Sequence, residues 1–451
     1  MTGVTLSRWT MSYFALAVLC LLGAQALMAL GFGYPAADVA APETLLLVHL
    51  VAVGWLSLLM CGALFQFVPV LVARPIHSNG LALPTLACLV AGLALLLFGF
   101  LQLAGGAGPA WSLLPWGGGL LALGFALALW NLGCTLWAAR PLALPSRFVT
   151  AGLASLAATA LLGFTFTLVF GGVSSAQPLV ALTAQGVPLH IVAGFGGWLT
   201  FTAMGVSYRL LAMFMLAPEL DGASTRWAFR LGVAALAVAI IGGTLIVWLG
   251  ARPGWMLLAA GLLGLAALGL YGRDIVQLYK RRKRRVIELN SRMASVALVN
   301  LAAAALLGIV LVGTGTLGDH SGALLFLVAF GWLSGLGLAK LYKIVAFLTW
   351  LECYGPVLGK VDAPRVQDLV VEPRAVRFFI FYYAAMWVGT LALLAGAPLL
   401  FRAGAVGMLL ATGAIAAELV RTRRLADVRG AVRLPEGARQ PRLLVSMVRQ
   451  G

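Results

Sequence analysis

Charge is scarce in this sequence. Only 10% of the residues are Asp, Glu, Lys or Arg, against about 25% in soluble globular domains, and that shortfall excludes an ordinary water-soluble fold. Acidic residues are scarcest, 14 against 31 Lys and Arg. The five cysteines, Cys20, Cys61, Cys88, Cys134 and Cys353, form no C-x-x-C pair, which argues against a disulfide framework or a zinc site. No HExxH, nucleophile elbow or phosphate-binding loop occurs, so the enzyme chemistries those motifs carry have no foothold here. Histidine is limited to His49, His77, His190 and His320.

What is present is apolar: 62% of the 451 residues are hydrophobic. A membrane-crossing helix needs roughly 20 apolar residues. Twelve segments meet that need, at about 12–34, 44–72, 80–104, 113–139, 148–172, 187–215, 228–249, 254–278, 293–316, 321–350, 376–396 and 398–421. The fold class is therefore all-α: a polytopic membrane domain over 1–421, with 422–451 as a basic tail. The first segment is too long to be a removed signal peptide and reads as a retained span.

The net charge of +17 is distributed by the helices. Arg74, Arg140, Arg147, Arg226 and Arg230, the connections 273–288 and 359–377, and the tail 421–444 all fall on one side of the alternation, whereas the other side holds only Arg252 and Arg402. The positive-inside rule then predicts cytoplasmic N- and C-termini in a bacterial inner membrane. Such basic blocks meet anionic lipid headgroups, so the expected partner is membrane lipid and not nucleic acid.

One stretch recurs. Gly-Trp-Leu-Ser/Thr stands at 54–57, 197–200 and 331–334. Seven residues beyond each Trp come Gly62, Gly205 and Ala339; ten beyond, Phe65, Tyr208 and Tyr342; eleven beyond, Gln66, Arg209 and Lys343; fourteen beyond, Pro69, Ala212 and Ala346. In an ideal helix the offsets 0, 7, 10 and 14 fall within about an 80° arc, so each segment presents one specialised face. Close helix packing through small residues explains such a face without any ligand. The spacing of four segments between repeats predicts three pseudo-equivalent four-helix units. The Gln66, Arg209 and Lys343 column reads as an interfacial collar whose long side chains reach water, with a proton path as the alternative. His49, His190 and His320 each precede a Gly-Trp and lie toward the outer face, while His77 in "ARPIHSNG" falls in a cytoplasmic turn.

Twelve helices, a threefold repeat and histidines near the outer ends of the second, sixth and tenth segments resemble subunit I of the haem-copper oxidases, nearest the cytochrome cbb class. The resemblance is carried by "HLVAVGWLSLLMCGALFQFVPVL", "GVSYRLLAMF" and "LYKIVAFLTWLECYGPVLGK". The NnrS membrane proteins share a similar plan with a different histidine motif. The resemblance implies that His49 and His320, with Trp55 and Trp332 beside them, bind a low-spin haem b, and that His190 matches a copper ligand. It also shows departures. The seventh segment has no histidine and the tenth has no second one, so copper is not expected: a copper centre held by imidazoles needs about three of them. Oxidase or nitric oxide reductase turnover is likewise not expected.

In an ideal helix, His320 lies about 9 Å shallower than His49 relative to its tryptophan, and His190 is the alternative partner for His49. The function implied is electron transfer, or the handling of nitric oxide, oxygen or copper, with an electron donor or a second membrane subunit as partner. The alternative is a cofactor-free transporter or assembly scaffold on the same plan.

Overall fold

The computed structural model describes residues 8–106, 108 and 111–446. The twelve predicted spans are all present and helical: α1 Thr10–Leu30, α2 Pro42–Val72, α3 Asn79–Leu103, α4 Leu114–Ala138, α5 Leu144–Phe170, α6 Val187–Met215, α7 Ala223–Trp248, α8 Gly254–Lys280, α9 Leu289–Gly313, α10 Leu317–Val357, α11 Glu372–Leu394 and α12 Pro398–Arg423. Each is long and apolar enough to cross a membrane. Among the described residues the only β pairing is an isolated bridge between Leu358 and Val361.

Local chemistry sets the ends of these helices. A proline stands in the first turn of α2, α4, α5, α11 and α12, where its fixed φ and missing N–H do no harm. The first helix stops at Gly31, which adopts a left-handed φ of 83°, a conformation glycine reaches without a Cβ clash. The Arg402 Nε donates to the Ala29 carbonyl there at 3.0 Å, satisfying one of the helix's last acceptors.

Several bounds differ from the sequence expectation. The stretch from residue 273, expected as a connection, continues α8 as far as Lys280, and α7 and α9 begin at Ala223 and Leu289. Hydropathy falls where a helix leaves hydrocarbon, but the backbone ladder continues into the polar zone, so charged turns such as the one bearing Asp274 remain helical. A further short helix, Gln177–Gln185, precedes α6.

The helices group into two compact units. One comprises residues 1–66 and 288–451; the other comprises 67–287, so the division falls inside α2. In the first unit α1 packs on α2 and α12, α9 on α10, and α11 on α12. In the second, α3 packs on α4, α4 on α5, α5 on α6 and α7 on α8.

The repeat is structural as well as sequential. Each Gly-Trp-Leu-Ser/Thr lies in a π-helical stretch, Leu50–Ser57 in α2, Val192–Phe201 in α6 and Leu327–Ser334 in α10. A shorter one, Val238–Gly242, lies in α7. Bonding from i to i+5 widens the turn, so the tryptophan end of each face departs from the ideal arc, whereas the positions seven, ten and fourteen residues on lie in regular α-helix. Trp55, Trp198 and Trp332 are nonetheless among the most deeply buried side chains of the chain.

Candidate site at the repeated π-helices

A π-helix leaves backbone groups poorly served by the ordinary ladder, and side chains here take over. In α2 the Ser57 hydroxyl donates back to the Ala52 carbonyl at 2.8 Å, and in α10 the Ser334 hydroxyl donates to Ala329 at 2.7 Å; both reach five residues back. The next two carbonyls of α10 are also met. Tyr382 donates to Phe330 at 2.9 Å, and Asn300 donates to Gly331 at 3.2 Å while accepting from the Trp387 indole at 3.1 Å.

Helices α2 and α10 meet through this region. The Trp55 indole N–H donates to the Ser334 hydroxyl at 2.8 Å. A Cβ built on Gly337 would stand 2.8 Å from a Leu59 methyl and 3.3 Å from the Trp55 ring, so a side chain there would require Leu59 to shift. At that depth the two helices touch directly. Toward the His49 end, the connection after α1 fills in between them: a Cβ on Gly33 would lie 2.6 Å from Leu47 and 3.1 Å from the Glu43 carbonyl, and Tyr34 lies on Gly322.

His49 is half-buried, directly before the π-helical stretch of α2. Its Nδ1 is 2.8 Å from the Leu45 carbonyl. A carbonyl only accepts, so Nδ1 carries the proton, and in the neutral ring Nε2 carries the lone pair. That is the tautomer in which an imidazole offers Nε2 to a metal while a backbone carbonyl orients the ring.

The other predicted residues are placed as follows. His320 is half-buried in the first turn of α10, its N–H bonded to the Thr316 carbonyl at 3.2 Å. The six residues by which it exceeds the His49 spacing are regular α-helix, Leu317–Phe326, so its offset of about 9 Å along the axis stands. Trp332 is buried in α10.

His190, in the second compact unit, lies edge-on to Phe166 at 5.5 Å, and a Cβ on Gly163 would come within 3.0 Å of its ring. Phe166 belongs to an apolar cluster with Leu162, Leu182, Leu189 and Val247. His77 is exposed, with Trp130 edge-on at 6.5 Å. Among the described residues no three His, Cys, Asp or Glu side chains are grouped to hold a metal ion, and all five cysteines are free.

Two of the three residues of the expected collar, Arg209 and Lys343, are in ion pairs. Arg209 pairs with Glu219, and Lys343 pairs with Glu288 at 2.9 Å. Glu288 also accepts from Gln367 at 2.9 Å. These bonds tie helix ends to connections.

A polar cluster in the second unit was not foreseen. Asp274, buried on α8, accepts from the Tyr208 hydroxyl and the Thr225 hydroxyl, each at 2.9 Å. Tyr271, one turn before it, packs edge-on to Tyr208 at 5.4 Å. The available signal was Tyr208 itself, the aromatic of the repeated column, but Asp274 read as part of a charged connection. No family model and no curated protein matches the chain.

Proposed function

We propose that this chain is a subunit I-like membrane protein of the haem-copper oxidase type, which holds a low-spin haem b through His49 and serves electron transfer or the handling of nitric oxide, oxygen or copper without oxidase turnover. The observation that carries this reading is the Leu45 carbonyl held by His49 Nδ1, which presents Nε2 as the coordinating nitrogen. A haem supplies one-electron chemistry at its iron, and two imidazoles suffice for a six-coordinate centre.

The chain's own part is to orient the ring and exclude water. Leu45 fixes the tautomer, and the buried Trp55 closes the space below by bonding Ser334. The second imidazole is His320, which shares a compact unit with His49, or His190. The orientation that fits the basic connections places both termini in the cytoplasm of a bacterial inner membrane, where an electron donor or a second membrane subunit would dock. The direct contact of α2 with α10 favours a second reading, a cofactor-free transporter or assembly scaffold.

A reduced-minus-oxidised visible spectrum of protein expressed with ample haem decides between them. Haem binding predicts a bis-imidazole spectrum that is lost in His49→Ala and kept in His77→Ala, with either His320→Ala or His190→Ala abolishing it as well. Absence of Soret absorbance from the wild type leaves the scaffold reading standing. Supplied with reduced quinone or cytochrome, the protein should not reach the rates of oxidases, on the order of 10 to 1,000 per second; robust oxygen reduction in a preparation free of native oxidases overturns that part.

A further inference from the structure

Beyond α12, residues 424–446 fold back onto the start of α1. Arg423 is buried and anchors this segment, pairing with Glu352 at 2.9 Å, bonding the Thr349 hydroxyl at 3.1 Å and donating to the Arg442 carbonyl. The Ser12 hydroxyl donates to the Leu444 carbonyl at 2.6 Å, and the Ser446 N–H donates to the Arg8 carbonyl at 3.0 Å. Between tail and helix ends this leaves a cavity of about 480 Å³ lined by Arg8, Arg424, Arg442, Gln440, Leu443 and Leu444, with no carboxylate on its wall among the described residues.

The charge balance of that wall is unusual for its surroundings. Nearby Arg374, Arg421 and Arg423 are engaged by Glu418, Asp427 and Glu352. Arg8, Arg424 and Arg442 form no ion pair among the described residues. Three guanidinium groups on one cavity repel one another, and each presents the planar fork that suits a phosphate group.

The cavity lies where α1 begins at Thr10 and α12 ends at Arg423, and helices of this length and apolarity end where hydrocarbon gives way to headgroups. Leu443 and Leu444, 41% and 54% exposed, give it an apolar rim. A phosphate beside an apolar rim describes an amphiphile better than a free anion. We propose that this cavity is a binding site for the phosphate headgroup of an anionic phospholipid, gripped by Arg8, Arg424 and Arg442, with an acyl chain along Leu443 and Leu444. Such a site is independent of any haem.

The test is native mass spectrometry of the full chain after delipidation and addition of phosphatidylglycerol or phosphatidylcholine. The wild type should retain phosphatidylglycerol preferentially. Arg424→Gln with Arg442→Gln should weaken that retention about tenfold or more, and Arg8→Gln, whose guanidinium otherwise lies 5.5 Å from the Trp9 ring, should weaken it alone. Arg281→Gln with Arg282→Gln, elsewhere on the basic connections, should leave it unchanged. Equal retention by wild type and the Arg424/Arg442 double variant overturns the proposal, as does equal loss in the Arg281/Arg282 variant. Complete displacement by excess inorganic phosphate overturns the lipid assignment in favour of a free-phosphate site. If the double variant does not fold, Arg8→Gln decides alone.

Discussion

A histidine in an apolar helix carries a desolvation cost that something must offset. At His49 the Leu45 carbonyl offsets part of it; at His190 the ring lies against Phe166 and Gly163. Trp55 shows the same logic, since a buried indole N–H without an acceptor costs about 1–3 kcal/mol, and Ser334 is its acceptor. A double-mutant cycle of Trp55→Phe and Ser334→Ala, followed by reversible unfolding in detergent, should show a coupling of about 0.5–2 kcal/mol, the range of side-chain hydrogen bonds between membrane helices. Coupling near zero would mean that the indole packs on α10 without being held there by its hydrogen bond.

At the scale of helices, the repeated columns have separate mechanical roles. Gly62 and Gly205 receive the preceding odd-numbered helix: added Cβ atoms would lie 2.7 Å from Tyr13 Cβ and 2.5 Å from Phe148 Cβ. Three residues on, Phe65 and Tyr208 contact those same two rings, at 5.8 and 5.5 Å. Gly62→Leu and Gly205→Leu should each cost about 1–3 kcal/mol by overpacking. On the exposed face of α8, by contrast, Gly261→Ala meets nothing within 4 Å and should be neutral or stabilising by up to about 1 kcal/mol. Thermal melts of the three variants check this, and equal effects would show that the repeated glycines are not contact points.

These helices and columns were legible because hydropathy and residue size are written directly into the chain. The π-helical turns were not, since their runs, such as Leu50–Ser57, are uniformly apolar and no hydropathy period reports which carbonyl an N–H selects. Ser57 and Ser334, five residues beyond Ala52 and Ala329, were the only trace. Asp274 was hidden for another reason: its partners Tyr208 and Thr225 are 66 and 49 residues away, and its neighbours Arg273 and Lys280 make its turn look like a loop.

Over the whole chain, the few acidic residues are placed to restrain a large positive charge. Glu219, Asp221, Glu288, Glu352, Asp368, Glu372, Glu418 and Asp427 each pair with an arginine or lysine, and all lie near the end of an even-numbered helix or in the connection or first turn that follows it. With a net charge of +17, self-repulsion at these ends destabilises the compact state when the acids are lost. Asp427 joins α11, α12 and the tail, accepting from Arg421 at 2.6 Å and from Arg374 at 2.8 Å.

The Arg421 hydrogen bond holds the Asp427 carboxyl below the usual value of 3.8, against the opposing effect of partial burial, and Arg374 lowers it further. A depressed folded-state value means that the stabilisation is fully present above the ordinary one and is lost as pH falls through the depressed one. Melting temperature should therefore drop as pH falls below about 4. Asp427→Asn should be less stable at neutral pH and lose less on acidification, because its contribution is already gone. An identical acid slope in wild type and Asp427→Asn would assign the acid sensitivity to other carboxylates, with Glu418, bidentate to Arg374 at 2.7 and 2.6 Å, the next to replace.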